Sequence, residues 1–487
     1  MKKSFKSSLA VILSIAMILA AGMPHAFAAQ VGMSSDGKYY TDFETLEEAQ
    51  AAANIVAQQI AAEGNVLLKN QDETLPLSGK EYISVFGVGQ DNMSGQSGTN
   101  VRLQQALEEE GFKLNPTLLS YYAKDNTSVS RTFAERVDFN HSIENSFAMY
   151  GDAAIIVLSR GGGEGSDIAT VTDEEASEEE LAAHKGYVAQ EDGKIYKHFL
   201  QMTNTELELL DYVKAQGFKK IIYLINSSEI FELGDLENDE DVDAILWIGR
   251  PGQSGLLSSA GILSGRINPS GRTVDTWYRD FTADPTWQNV TNNKQSVGKD
   301  GVTYVLPGEE ADGEEGGGIV VSSTSYHGID YEEGIYLGYR YYETRAFDMG
   351  EDGADWYADA VVYPFGYGLS YTTFAFNSIK VTLDNGTVIE GGDSIDAALL
   401  GSVIGQEAEV KTLTVEVEVE NTGSVAGKEV VEIYINAPYT PGEVEKAAVK
   451  LVGFGKTSEL RPGKKETLKI TVNVQDLASY DADDANG

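Results

Sequence analysis

From Leu46 onward, apolar residues recur at helical spacing: Leu46, Ala49, Ala53, Val56 and Ile60. Thr41 and Glu44 stand before them as a capping box, so a helix is expected after a short linker at 29–41. The pattern then changes to short apolar runs separated by helical stretches. Runs at Ile83–Val88, Ala153–Ser159, Ile221–Asn226 and Ala244–Gly249 lack alternation, as strands covered on both faces do. A weaker strand is expected near Phe112. Helical spacing lies between them at Val101–Glu110, Thr205–Gln216 and Gln253–Ser264, with Gly111, Gly217 and Gly265 where helix C-caps favour glycine. Over 42–275 this alternation predicts an α/β fold, an open, mostly parallel sheet with helices on both faces. The stretch is too short for an eight-fold barrel, which takes roughly 250 residues.

Periodicity fades over 276–373, which reads as an irregular connecting segment rich in Gly, Tyr, Asp and Glu. Gly313–Gly318 reads as a surface loop, and Tyr331–Tyr342 is dense in aromatics that suit either sugar stacking or packing between domains. From Phe374 to Gly487 the pattern is all-β. Leu413–Glu420 alternates strictly, Val415, Val417 and Val419 against Glu416, Glu418 and Glu420, which predicts a half-buried strand with one wet face. Further strands are expected at Glu429–Ile435, Val449–Phe454 and Thr467–Val474, a sandwich pattern. The count is one or two strands short of seven, so the domain is expected to be incomplete.

Three global features narrow the class. Lys2, Lys3 and Lys6, the apolar run Leu9–Ala21 and Ala26-Phe27-Ala28 form a secretory signal, so cleavage near Ala28 and export are expected. The run is too short to span a membrane. The absence of cysteine means the exported chain relies on core burial and not on disulfides. The net charge of −40 disfavours nucleic acid and anionic membrane surfaces as partners. The five histidines are scattered, no acidic run has calcium-loop spacing, and no metal or cofactor is expected.

The candidate chemistry lies in Ala153–Asp167, AAIIVLSRGGGEGSD. After the apolar run, Gly161, Gly162, Gly163 and Gly165 leave Glu164 as an isolated carboxylate. Such a loop can press its backbone against a ligand and present one carboxyl group, which suits a general acid/base. The same residues also read as a solvated turn with an ordinary surface glutamate. Asp167 reads equally as a ligand contact and as a turn-capping aspartate. The glycines fit neither a P-loop nor a dinucleotide fingerprint. Gly95–Asn100 reads as a plain strand-to-helix connection. Ser227 and Ser228 lack the setting of a serine hydrolase.

Several motifs, in order, resemble glycoside hydrolase family 3, the family of many bacterial β-glucosidases. They are Ala62–Asn70 (AEGNVLLKN) with Leu75-Pro76-Leu77, Leu158–Asp167, Ile267–Thr273 (INPSGRT), Asp284–Trp287 (DPTW), Tyr331–Thr344, Tyr363–Tyr371 (YPFGYGLSY) and Asn421–Val430 (NTGSVAGKEV). The resemblance implies that family's α/β sandwich domain followed by a fibronectin type III-like domain. It implies Glu164 as catalytic acid/base, with Gly163, Gly165 and Asp167 supporting the loop or contacting substrate. It also implies a β-glucoside or oligosaccharide substrate. The family's nucleophile sits on a barrel that no part of residues 1–487 resembles. The order suggests a permuted member whose barrel lies beyond Gly487 or on another chain, and the isolated chain is expected to be inactive. One subunit of a split glycosidase and a non-catalytic carbohydrate-binding or surface module are the alternatives. Ile168 departs from the arginine the family often places there.

Overall fold

The computed structural model describes residues 42–90, 93, 101–123, 135, 137–160, 200–286, 305–307, 318–320, 333–392, 394–396, 400–401, 404 and 410–481. The chain divides into two compact units, 1–57 and 58–487. Helix α1, Leu46–Gly64, begins in the first unit and ends in the second. Its cap is not the expected one. Thr45 Oγ1 accepts from the Glu48 N–H at 3.1 Å, and the Glu48 carboxylate accepts from the Glu44 N–H at 3.0 Å. Thr41 lies outside the described residues. Leu46, Val56 and Ile60, the apolar repeat that signalled the helix, are exposed.

In the second unit a six-stranded sheet forms from β1 (Val66–Asn70), β2 (Tyr82–Phe86), β3 (Lys113–Leu114), β4 (Ala153–Ser159), β5 (Ile221–Asn226) and β6 (Ala244–Trp247). Its order is β1-β6-β5-β4-β2-β3. All neighbouring pairs are parallel except β1 with β6. Every residue of β4 and β5 is buried, which explains why their apolar runs do not alternate.

Alternate residues of those strands feed two separate cores. Ala154, Ile156, Leu158, Ile221, Tyr223 and Ile225 face one, and Ala153, Ile155, Val157, Ile222 and Leu224 face the other. Helices α2 (Leu103–Glu109), α3 (Pro116–Tyr122), α4 (His141–Phe147), α5 (Asn204–Ala215), α6 (Gly234–Glu237) and α7 (Leu256–Leu263) supply the covering layers. Leu118, Ile143 and Leu209 bring α3, α4 and α5 to the first core, while Leu107 and Ala260 bring α2 and α7 to the second. The predicted α/β domain with helices on both faces is therefore present. Asn115 caps α3 with its side-chain oxygen, and its amide donates to Ser84 Oγ and Ser146 Oγ at 3.0 and 2.8 Å. One side chain thus ties α3 to β2 and α4.

The connecting stretch is more regular than its composition suggested. Strand β7 (Trp277–Tyr278) pairs with β10 (Val361–Tyr363), and short strands β8 (Val305–Pro307) and β9 (Gly318–Val320) pair with each other. Helices α8 (Tyr339–Met349) and α9 (Gly353–Ala360) lie before β10. The region lacks strong apolar periodicity because aromatic stacking holds it together. Tyr342 stacks on Tyr278 at 5.3 Å and on Trp356 at 5.9 Å.

The last region is a β-sandwich. Strands β11 (Phe374–Leu383), β12 (Val388–Gly391), β13 (Thr412–Asn421) and β16 (Lys465–Asn473) form one sheet, and β14 (Val430–Ile435) and β15 (Lys450–Lys456) form the other. Leu413, Val415, Val417 and Val419 of β13 point into its core. The expected wet face is an ion-pair ladder. Register places Lys380, Glu416 and Lys469 side by side across three strands. Glu63, at the end of α1, accepts from Lys428 and Lys456 of this sandwich, and Arg272 bonds to Glu429. Burial works to raise the Glu63 carboxyl, but the hydrogen bonds from the two lysines outweigh it and leave it below its ordinary value.

Hydrogen bonds from Lys380 and Lys469 hold the Glu416 carboxyl at about 2, below its ordinary 4.5. Its stabilising contribution is complete above the ordinary carboxylate range and is lost as pH falls towards 2. Glu416→Gln should therefore weaken the acid dependence of stability in that window. Denaturation midpoints of parent and variant, compared between neutral and acid pH, should differ at neutrality and converge in acid.

Candidate active site

Parallel strands carry their chemistry at the carboxyl edge, where loops leave the sheet. Four segments meet there: Gly87–Gln90 after β2, Ser159–Arg160 at the end of β4, Asn226–Ser227 at the end of β5, and Ile248–Gly249 after β6. The turn after β2 is fixed by close approach to β4. A Cβ on Gly87, which has a φ of +99°, would lie 2.4 Å from the Val157 carbonyl oxygen, and one on Gly89 would lie 2.7 Å from Ser159 Cβ. The next two strand ends are laced together. Ser159 Oγ donates to Asn226 Oδ1 at 2.7 Å, and Asn226 Nδ2 donates to the Gly249 carbonyl at 2.7 Å. The Arg160 N–H donates to the Asn226 carbonyl at 3.0 Å. The carboxylate of Glu135, itself buried, accepts from the Val88 N–H at 3.1 Å.

Arg160 is the last described residue before the glycine loop, and its side chain is only 2% exposed. Its guanidinium meets the Glu206 carboxylate with both oxygens, at 2.5 and 2.6 Å. It also donates to the carbonyls of Ser159 and Gln201, each at 3.0 Å, and lies 4.7 Å from the centre of the Phe231 ring. Glu206 has a second duty. Thr203 and Glu206 form the capping box of α5, with the Thr203 N–H donating to Glu206 Oε2 at 2.7 Å. The end of β4 and the first turn of α5 are thus held together by one buried ion pair. Sequence reading missed this pair. Its local sign was the Thr203-x-x-Glu206 cap, but nothing local announced Arg160 as the partner.

Glu164, Gly163, Gly165 and Asp167 lie outside the described residues, as do Gly95–Asn100, Gly313–Gly317 and Tyr331. The structure brings the chain to Arg160, four positions before Glu164. The described aromatics of the Tyr331–Tyr342 stretch make contacts within the protein. Tyr342 donates to Asp284 Oδ2 at 3.0 Å, Tyr339 accepts from the Leu451 N–H at 3.0 Å, and Tyr336 bonds to Glu445. Asp284, from the DPTW motif, also accepts from the N–H and hydroxyl of Thr286 at 2.9 and 2.5 Å. Burial raises the Asp275 carboxyl, against the Thr276 N–H that lowers it, and the charge of Asp284 adds to the rise. Asn268, from INPSGRT, donates to the Ala426 carbonyl at 3.0 Å and joins the α/β domain to the sandwich. Among the described residues no cluster of three His, Cys, Asp or Glu side chains is placed to hold a metal ion, and no helix is long and apolar enough to cross a membrane.

An α/β domain with a laced strand-end rim, joined by ion pairs to a fibronectin type III-like sandwich, defines the class. The chain belongs to glycosyl hydrolase family 3: the family's C-terminal domain matches residues 65–339, and a fibronectin type III-like domain matches residues 429–486. It is 28% identical over 441 residues to beta-glucosidase A of Butyrivibrio fibrisolvens, covering 87% of this chain and 46% of that protein. It is 27% identical to a beta-glucosidase of Ruminococcus albus, covering 87% of this chain and 36% of that one. Among solved structures, beta-glucosidase 3B from Thermotoga neapolitana in complex with glycerol aligns with a TM-score of 0.62 at 28% identity, covering 91% of this chain and 51% of that chain. The chain spans about half the length of the relatives it matches.

Breaking a buried ion pair by deleting one partner strands the other charge, at a cost of about 3–5 kcal/mol. Glu206→Ala should lose stability of that order, read as a lowered denaturant midpoint. A loss below about 1 kcal/mol would place the pair among solvent-screened surface bridges.

Proposed function

We propose that this chain is the acid/base-bearing part of a secreted, retaining β-glucosidase. The family match over residues 65–339 carries the reading, because it includes the LSRGGGEGSD motif at the end of β4. Retaining hydrolysis uses two carboxyl groups roughly 5–5.5 Å apart. One attacks the anomeric carbon and forms a glycosyl-enzyme. The other protonates the departing glycosidic oxygen and then takes a proton from the incoming water. Glu164 is assigned the second role, with Gly163 and Gly165 allowing close approach and Asp167 supporting the loop or touching substrate. The nucleophile is assigned to a barrel, either on a longer form of this polypeptide or on a partner chain. The substrate is a β-glucoside or short oligosaccharide, and the signal at residues 1–28 directs export.

In such a pair the acid must carry its proton when the leaving oxygen departs, and a negative partner carboxylate at that separation favours the protonated form.

The test is hydrolysis of an aryl β-glucoside by residues 29–487 alone and by the same chain together with its barrel. The chain alone should show no turnover above background. The combined protein should be active, and Glu164→Gln should lower kcat/KM by about 100-fold or more. Full turnover by residues 29–487 alone, or an unchanged rate in Glu164→Gln, would overturn the proposal. Sugar binding by the isolated chain that is indifferent to Glu164→Gln would instead mark a carbohydrate-binding module.

A further inference from the structure

We propose that the exposed apolar face of α1 pairs with the same face of a second copy of this chain, as two antiparallel helices about a two-fold axis at Ala53. The proposal is independent of the role assigned to Glu164. Helix α1 has 19 residues and none of them is buried. Leu46 and Ile60 are 68% and 67% exposed, Val56 is 44% exposed, and Ala53 between them is exposed as well. A single exposed apolar side chain is ordinary, but a row of them along one helix marks a contact face. Helices also draw most of their stability from packing such a face.

Spacing defines the kind of contact. Leu46, Ala49, Ala53, Val56 and Ile60 step by three, four, three and four residues. That is the narrow stripe along which two helices pair, not the broader face that packs on a core. The stripe also points away from the contacts α1 makes with α7. Ser258 Oγ donates to the Gln58 carbonyl at 2.7 Å, and a Cβ on Gly255 would lie 2.8 Å from Ala61 Cβ. Gln58 lies about 160° round the helix from the centre of the stripe, and Ala61 about 100°.

Charge and symmetry select a second copy as the occupant. The positions flanking the stripe, where paired helices carry the charges that choose a partner, are Gln50, Ala52, Ala57 and Gln59, all uncharged. No Lys or Arg lies in α1 to attract an acidic partner. On a chain of net charge −40, a neutral face is where two identical molecules approach with least repulsion. Bulk is distributed evenly too, with Leu46 and Ile60 seven residues to either side of Ala53. Antiparallel pairing sets Leu46 of each copy against Ile60 of the other, and the alanines let the backbones close at the centre. The contact runs along about 22 Å of helix. It falls below the roughly 1,200 Å² of a stable interface, so the dimer is reversible, with a dissociation constant of about 10 µM or weaker.

The test is sedimentation velocity of residues 29–487 from about 1 to 200 µM, with disulfide trapping beside it. The parent should pass from monomer to dimer over that range. Val56→Glu sets a carboxylate in the stripe and should raise the dissociation constant at least tenfold without moving the denaturation midpoint. The chain has no cysteine of its own, so an introduced thiol reports one contact. Helix axes about 8–10 Å apart bring two facing Ala53 Cα atoms to about 5 Å, within the roughly 4.4–6.8 Å a disulfide spans. Ala53→Cys should therefore oxidise to a covalent dimer, whereas Ala51→Cys, exposed on the opposite side of the helix, should not. A parent that stays monomeric at 200 µM, a dimer indifferent to Val56→Glu, or equal trapping of the two cysteine variants would overturn the pairing. So would dimerisation of this chain that vanishes in the barrel-bearing protein, which would give the face to the barrel.

Discussion

A guanidinium buried beneath the edge of a sheet must be matched, because an unpaired charge in that position would cost several kcal/mol. The match between Arg160 and Glu206 is the constraint on which the arrangement of the strand-end rim depends. It requires the end of β4 and the start of α5 to meet, and it sets Phe231 against the guanidinium face. The capping box of α5 then orients Glu206 from below through the Thr203 N–H. Ser159, Asn226 and Gly249 carry the same fixation across to β5 and β6. Rigidity at this edge follows from polar contacts set into an otherwise apolar sheet.

Other motifs hold the connecting stretch together and join the domains. The DPTW aspartate is buried under Tyr342, and the aromatic segment around it stacks ring on ring. Asn268 and Arg272 of INPSGRT reach the β-sandwich, where Glu63 meets Lys428 and Lys456. Motifs that mark the family thus divide into two kinds. Asn268 and Arg272 of INPSGRT join domains and Asp284 of DPTW ties the connecting stretch together, whereas LSRGGGEGSD begins at the end of β4.

Much of this was legible in the sequence because burial on both faces leaves a plain signature. β4 and β5 were recognisable as unbroken apolar runs, and β13 as a strict alternation of valine and glutamate. β1 was harder to see. It is a short strand beside a helix, and its antiparallel pairing with β6 depends on long-range topology. Helices α3 and α4 are two turns each, too short for a periodic signal, and are set by Asn115 and Asn140 caps. The aromatic stretch offered two meanings, and only the contacts of Tyr336, Tyr339 and Tyr342 decided for packing. The Glu164 motif could be read directly, but the Arg160–Glu206 pair could not, because the two residues are brought together by the fold and not by spacing.

The measurement that tests the central claim most directly is azide rescue of Glu164→Gly in the barrel-bearing protein, using a dinitrophenyl β-glucoside. Loss of the acid/base slows attack by water on the glycosyl-enzyme, and azide needs no base to replace it. The account predicts that azide restores turnover and yields the β-configured glucosyl azide. Absence of rescue, or an azide product of inverted configuration, would contradict the assignment of Glu164 as the acid/base of a retaining enzyme.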